Sequence, residues 1–121
     1  MNRLLVVMLC AGLFAPSIAE AVEITVVPAV ALGKRADWKA AAKLEKRVLS
    51  ALEKAGHTIK KAAKGAGKSA LACKGDFACL AKVAGGGVSV SMVVWRVKRK
   101  RIPEVAVYAG SEQVAKLSGK M

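Results

Sequence analysis

The chain has 121 residues, of which 21 are Lys or Arg and eight are Asp or Glu, so its formal net charge is +13. This length supports one small domain around one hydrophobic core and excludes large multidomain enzymes. One Tyr and two Trp residues are too few for the stacking surface with which proteins hold single-stranded nucleic acid. Nucleic acid is therefore disfavoured as a partner in spite of the charge.

The amino-terminal segment has the residue order of an export signal: a basic residue, an uncharged apolar run at Leu4–Phe14, and small residues leading to Ala19 and Ala21. The run of about a dozen residues is shorter than the roughly 20 that a membrane-spanning helix needs. We therefore predict that residues 1–21 are a signal peptide, cleaved after Ala19 or Ala21. The mature protein, residues 22–121, is then a single small α/β domain in the periplasm or the extracellular medium.

The first part of this domain predicts a strand followed by a long helix. Glu23–Val30 is β-branched and apolar, and Pro28 weakens strand pairing late in the segment. Trp38–Ala55 repeats apolar residues at helical spacing, which predicts a helix that opens at Ala36 or Asp37. We expect its apolar side, which includes the tryptophan, to cover a sheet, and its other face is basic.

The middle of the chain predicts shorter elements. His57–Lys60 is either a second strand or only a connection, and Lys61–Ala72 predicts a weak helix interrupted by glycines. Phe77–Ala84 predicts about two helical turns, and three consecutive glycines end them.

The last part predicts a β-hairpin and a short helix. Val88–Val94 alternates apolar residues with serines, Ile102–Tyr108 is the return strand, and Glu112–Leu117 is a candidate helix. The fold class is therefore α/β (α+β): a small mixed β-sheet with helices packed on one face, a C-terminal β-hairpin and one disulfide.

The prediction of a disulfide rests on two observations: the protein is expected to be exported, and the two remaining cysteines flank a turn. Export removes Cys10 and leaves Cys73 and Cys79 as a pair where disulfides form. Residues six apart in a continuous helix are separated by ~9 Å along its axis, so a bridge between them requires a turn. Gly75 and Asp76 supply one, because glycine adopts positive φ and aspartate caps a following helix.

Two sequence features could indicate an enzyme, and neither has the context that its chemistry needs. Ala62–Ser69 fits a relaxed phosphate-loop pattern, but no long preceding strand and no acidic magnesium ligand accompany it. The sole histidine, His57, has too few partners for a metal or catalytic centre. We expect a non-enzymatic protein with no catalytic residue, no cofactor and no bound metal.

Basic residues cluster at the hairpin turn and on the long helix. The first 21 residues contain one basic and one acidic residue, so the mature net charge stays at +13. Outside the cytoplasm such a cluster attracts anionic surfaces, whereas the alternative is a solvated turn that keeps strand edges from aggregating. The candidate anion-binding or partner-binding residues are Arg96, Lys98, Arg99, Lys100, Arg101, Lys43, Lys46 and Arg47.

The order of these elements resembles the amino-terminal domain of TolB and related CsgG-like envelope domains. The residues that carry the resemblance are Ile24–Pro28, Cys73–Ala81 and Gly85–Gly87 leading into Val88, and it spans residues 22–109. It implies a non-enzymatic α/β module that docks on other envelope proteins. The triple glycine and the basic hairpin turn depart from that pattern.

We therefore expect an exported binding or accessory domain of the bacterial cell envelope that docks on an envelope protein. The alternative is a cationic binder of anionic surfaces, which are membrane headgroups, wall polymer or nucleic acid, through the basic hairpin and helix face. Peripheral contact with a membrane is compatible with both. The sequence specifies neither the partner nor the oligomeric state.

Overall fold

A computed structural model describes residues 22–119. The predicted signal peptide and its cleavage site lie outside the described residues. The elements in chain order are β1 (Glu23–Val26), β2 (Val30–Gly33), α1 (Trp38–Lys54), β3 (Thr58–Lys61), α2 (Ala66–Ala72), α3 (Phe77–Ala84), β4 (Val88–Val97), β5 (Lys100–Ala109) and β6 (Glu112–Ser118).

Strand β4 is the centre of one mixed sheet. Strands β1 and β2 both pair with it in parallel, β3 pairs in parallel with β1, and β5 and β6 continue the sheet in antiparallel fashion. The strand order is β3-β1-β4-β5-β6, with β2 also on β4. The predicted mixed sheet and C-terminal hairpin are confirmed, and the segment after His57 is a strand.

The single first strand that the sequence predicted is two strands. Val26 lies opposite Val90, but Val30 lies opposite Val93, so the chain holds one extra residue between β1 and β2. The extra residue falls around Pro28, which has no amide hydrogen to donate to the ladder. The interruption lets β1 and β2 run one after the other along the same edge of β4.

The helices pack on both faces of the sheet, which corrects the prediction of helices on one face. Val90, Met92 and Val94 of β4 belong to the cluster beneath α1, whereas Val93 belongs to the cluster beneath α2 and α3. The alternation of valine with serine in β4 is typical of a strand with one solvated face. Here residues 89–94 are all buried, because small serine side chains let a helix cover the second face.

The predicted C-terminal helix, Glu112–Leu117, is wrong: these residues form β6. Ala109 lies opposite Glu112 across a two-residue turn whose first residue, Gly110, has φ +65°. Such turns join adjacent antiparallel strands. A helix of six residues has too little hydrogen bonding to be stable, whereas pairing with β5 provides partners for the backbone groups on one side of this segment.

The predicted disulfide joins Cys73 and Cys79, with their Cα atoms 5.6 Å apart. Cys73 ends α2, and Asp76 caps α3 by accepting a hydrogen bond from the Ala78 amide at 3.0 Å. The turn between the two cysteines is therefore Lys74–Asp76. The bridge holds this turn against the second face of the sheet, where Cys73 is buried.

Candidate functional site

Three basic loops meet at the end of the sheet where β2 and β4 finish. Gly33, the last residue of β2, lies opposite Arg96 of β4, and Gly75 lies against the Trp95 ring. We call residues 34–37, 74–76 and 96–101 the basic end. These loops contain eight Lys or Arg residues and two Asp residues.

The hairpin is tied to the loop between β2 and α1 by two arginines. Arg101 Nε lies 2.8 Å from Asp37 Oδ2, and Arg96 Nη1 donates to the Arg35 carbonyl oxygen at 3.4 Å. Both arginines therefore help to hold the loops together. Within residues 22–119, Lys98, Arg99 and Lys100 are exposed and form no ion pair, so their charges are available to a partner.

Asp37 joins the hairpin to the start of α1. Its carboxylate accepts a hydrogen bond from the Ala40 amide at 2.9 Å, as an N-cap does. This hydrogen bond, and then the charges of Arg101 and Arg96, outweigh partial desolvation and hold the pKa of Asp37 below its ordinary value of 3.8. The ionised carboxylate thus stabilises both the helix start and the hairpin.

The lowered pKa of Asp37 predicts an acid-sensitive contribution to stability. A carboxyl whose pKa is lower in the folded state contributes above the unfolded pKa and loses that contribution as pH falls through the folded value. We expect the wild type to exceed Asp37→Asn in stability near pH 6, and this difference to shrink below about pH 4. Thermal unfolding of both proteins across this range measures it. A difference that is independent of pH would contradict the assignment.

Each of the three loops contains one cation in the left-handed backbone conformation. Arg35, Lys74 and Lys98 have φ of +59°, +52° and +58°, and they are the non-glycine residues with positive φ in the described part of the chain. This conformation costs an L-residue about 1–2 kcal/mol, and glycine or asparagine adopts it more readily. The turns account for the positive φ at these positions but do not require a cation there.

The predicted helix residues Lys43, Lys46 and Arg47 are exposed on α1. The helix starts at the basic end, and they follow Asp37 by six to ten residues, or about 9–15 Å along the axis. The structure thus brings the five predicted hairpin residues to the same end of the domain as Lys34, Arg35 and Lys74. The three predicted helix residues lie farther along α1, next to this end but outside it. Sequence reasoning missed Lys34, Arg35 and Lys74, whose only signal was their charge next to a turn.

The prediction that Trp38 covers the sheet with the other apolar residues of the helix is wrong. Its side chain is half exposed, and the buried part of α1 begins at Ala40. The first helical residue thus projects beyond the core at the basic end.

The second half of the phosphate-loop segment lies in a helix, and the sole histidine lies next to the start of β1. Gly67, Lys68 and Ser69 lie in the seven-residue helix α2, after the four-residue strand β3. His57 Nδ1 accepts a hydrogen bond from the Val22 amide at 3.2 Å. Among residues 22–119, no three His, Cys, Asp or Glu side chains group as metal ligands, and no helix has the length and apolarity to cross a membrane.

The fold and this surface define a small α+β domain with a disulfide-held basic end. No protein-family model and no curated protein matches the sequence. Among solved structures, the chain is similar in shape to the LpoB C-terminal domain from Escherichia coli, with a TM-score of 0.45 and 12% identity over 84% of this chain and 82% of that one. A likeness at this distance assigns neither family nor function. The resemblance to TolB and CsgG-like domains stays a prediction.

Proposed function

We propose that this protein is an exported, non-enzymatic binding domain of the bacterial envelope whose basic end binds an anionic surface. The observation that carries the proposal is the convergence of three separate loops, each with a cation in a costly left-handed conformation. The Cys73–Cys79 disulfide supports this location, because disulfides form and persist in oxidising compartments outside the cytoplasm.

The distribution of charge favours binding over solubility alone. Solubility is served by charges of both signs spread over a surface, whereas the basic end contains eight cations against two acids. Protection of strand edges explains only part of the cluster. Among the described strands β2 pairs with β4 alone, so its open edge ends beside Lys34 and Arg35, whereas residues 98–100 lie at the turn between the paired strands β4 and β5. Lys98, Arg99 and Lys100 are therefore the residues most available to an anionic ligand.

Docking on an envelope protein is the second candidate function, and strand β6 favours it. This strand ends the described sheet, and its Val114 and Leu117 side chains are about half exposed. An exposed strand edge with apolar side chains can pair with an extended segment of a partner. The resemblance of residues 22–109 to TolB-like domains also supports this candidate.

The test of the first function is binding to an immobilised acidic polymer, such as polyglutamate, over a range of salt concentrations. The variant Lys98→Asn, Arg99→Gln, Lys100→Gln removes three charges and keeps a residue that tolerates positive φ at 98. We expect its affinity to fall about tenfold at ~0.15 M salt, because exposed charge pairs contribute up to about 1 kcal/mol each.

The matched control is Lys43→Gln, Lys46→Gln, Arg47→Gln, which removes the same charge from α1. We expect this control to lose less affinity than the hairpin variant. Equal losses would show that net charge alone drives binding and would contradict a site at the basic end. If binding to native envelope material survives ~0.5 M salt and is lost in Val114→Lys or Leu117→Lys, protein docking at β6 is the function instead.

A further inference from the structure

Two large apolar side chains lie exposed within or beside the basic end. Trp38 keeps 52% of its accessible surface and Val97 keeps 51%. Trp38 directly follows Asp37, which binds Arg101, and Val97 lies between Arg96 and Lys98 and opposite Lys100. Each apolar side chain is therefore one or two residues from a cation.

Both side chains lie just outside the two hydrophobic clusters of the domain. In β4, Trp95 is the last residue of its face to pack against a core, and its Nε1 donates to Glu104 at 2.9 Å. Val97 is the next residue on that face and belongs to neither core cluster. Trp38 likewise precedes Ala40 and Ala41, the first buried residues of α1. Both residues thus lie at the same end of the domain, Trp38 at the start of α1 on one face of the sheet and Val97 on the face that α2 and α3 cover.

Cations at the same end of the domain as an exposed tryptophan match the chemistry of a bilayer interface. Lys and Arg attract anionic headgroups, while the amphipathic ring of tryptophan is favoured at the boundary between headgroups and acyl chains. A soluble acidic polymer satisfies the cations but gives Trp38 and Val97 nothing apolar to enter. A bilayer satisfies both kinds of side chain.

We propose that the basic end docks on an anionic phospholipid bilayer, with its cations on the headgroups and Trp38 and Val97 in the interface. This proposal rests on the anion-binding function above and names the surface that is bound. The domain lies on the membrane and does not span it. The cations bring it to the surface, and the two apolar side chains add binding that salt screens less.

The test uses the exported protein and two kinds of vesicle: phosphatidylglycerol with phosphatidylcholine in about equal parts, and phosphatidylcholine alone. We expect binding to the anionic vesicles, with a blue shift of tryptophan emission and quenching by lipids brominated in the acyl chains. Trp38→Ala should lose this blue shift and bind about tenfold more weakly. Val97→Ser should also bind more weakly while it keeps the shift.

The matched control is Val114→Ala, which removes a side chain of similar exposure, 53%, from β6. We expect it to bind vesicles as the wild type does. Equal binding by wild type and Trp38→Ala would overturn the proposal, as would binding to polyglutamate without binding to anionic vesicles. That second outcome leaves the anion-binding function in place, whereas failure to bind either probe overturns both proposals.

Discussion

Gly33→Ala is expected to lower the free energy of unfolding by about 2–4 kcal/mol, the largest effect of any substitution considered for this domain. Gly33 has φ +99°, a conformation that L side chains rarely adopt, and an added Cβ would fall on the backbone carbonyl oxygen of Arg96. Because Gly33 and Arg96 are paired in the ladder, neither backbone can move away without breaking the sheet. Chemical denaturation of the two proteins measures the loss.

The matched control is Gly56→Ala. Gly56 has φ +89° and no atom within 4 Å of an added Cβ, so alanine there meets only the conformational cost of about 1–2 kcal/mol. The additional loss of unfolding free energy in the Gly33 variant is then the cost of the close contact between β2 and β4. Equal losses in the two variants would contradict that contact. The Gly33 variant should also bind polyglutamate more weakly, because this ladder holds the hairpin beside the Lys34–Arg35 loop.

Reduction of the Cys73–Cys79 disulfide is expected to lower the free energy of unfolding by about 2 kcal/mol. The bridge closes a loop with a sequence separation of six, and even a loop this short restricts the unfolded chain by roughly that amount. Its loss also frees the turn that holds Gly75 against Trp95. Tryptophan emission should therefore shift to the red as water reaches that ring.

The double variant Cys73→Ala, Cys79→Ala provides the control for reduction. A reductant should bring the wild-type denaturation midpoint close to that of the variant and leave the variant unchanged. A wild-type midpoint that does not respond to reductant would contradict a stabilising bridge. If the turn positions Lys74 for binding, the reduced wild type should also bind the acidic polymer more weakly.

Local signals explain which elements the sequence predicted correctly. The helix that begins after Asp37 has a capping aspartate and apolar residues at helical spacing, and both operate within a few residues. The Cys73–Cys79 bridge was predicted because a glycine and an aspartate between the cysteines specify a turn. The β4–β5 hairpin followed from alternation in two nearby segments.

The errors occurred where distant contacts decide the structure. Glu112–Leu117 is compatible with a short helix until the exposed edge of β5 is present to pair with it. Ser89 and Ser91 indicate a solvated face, yet α2 and α3 bury them because small side chains permit close packing. Neither outcome can be read from the residues of the segment itself.

The features of the candidate site also fall into two groups, those that local sequence determines and those that depend on distant contacts. By itself, the sequence determined the strong positive charge, the dense cation run at residues 96–101, the cysteine pair and the capped helix, because each depends on composition or on neighbours in the chain. Only the tertiary structure decided that Arg35, Lys74 and Lys98 meet at one end. That result requires β2 to lie beside β4 and the disulfide turn to lie on Trp95, and both are contacts between residues far apart in the chain.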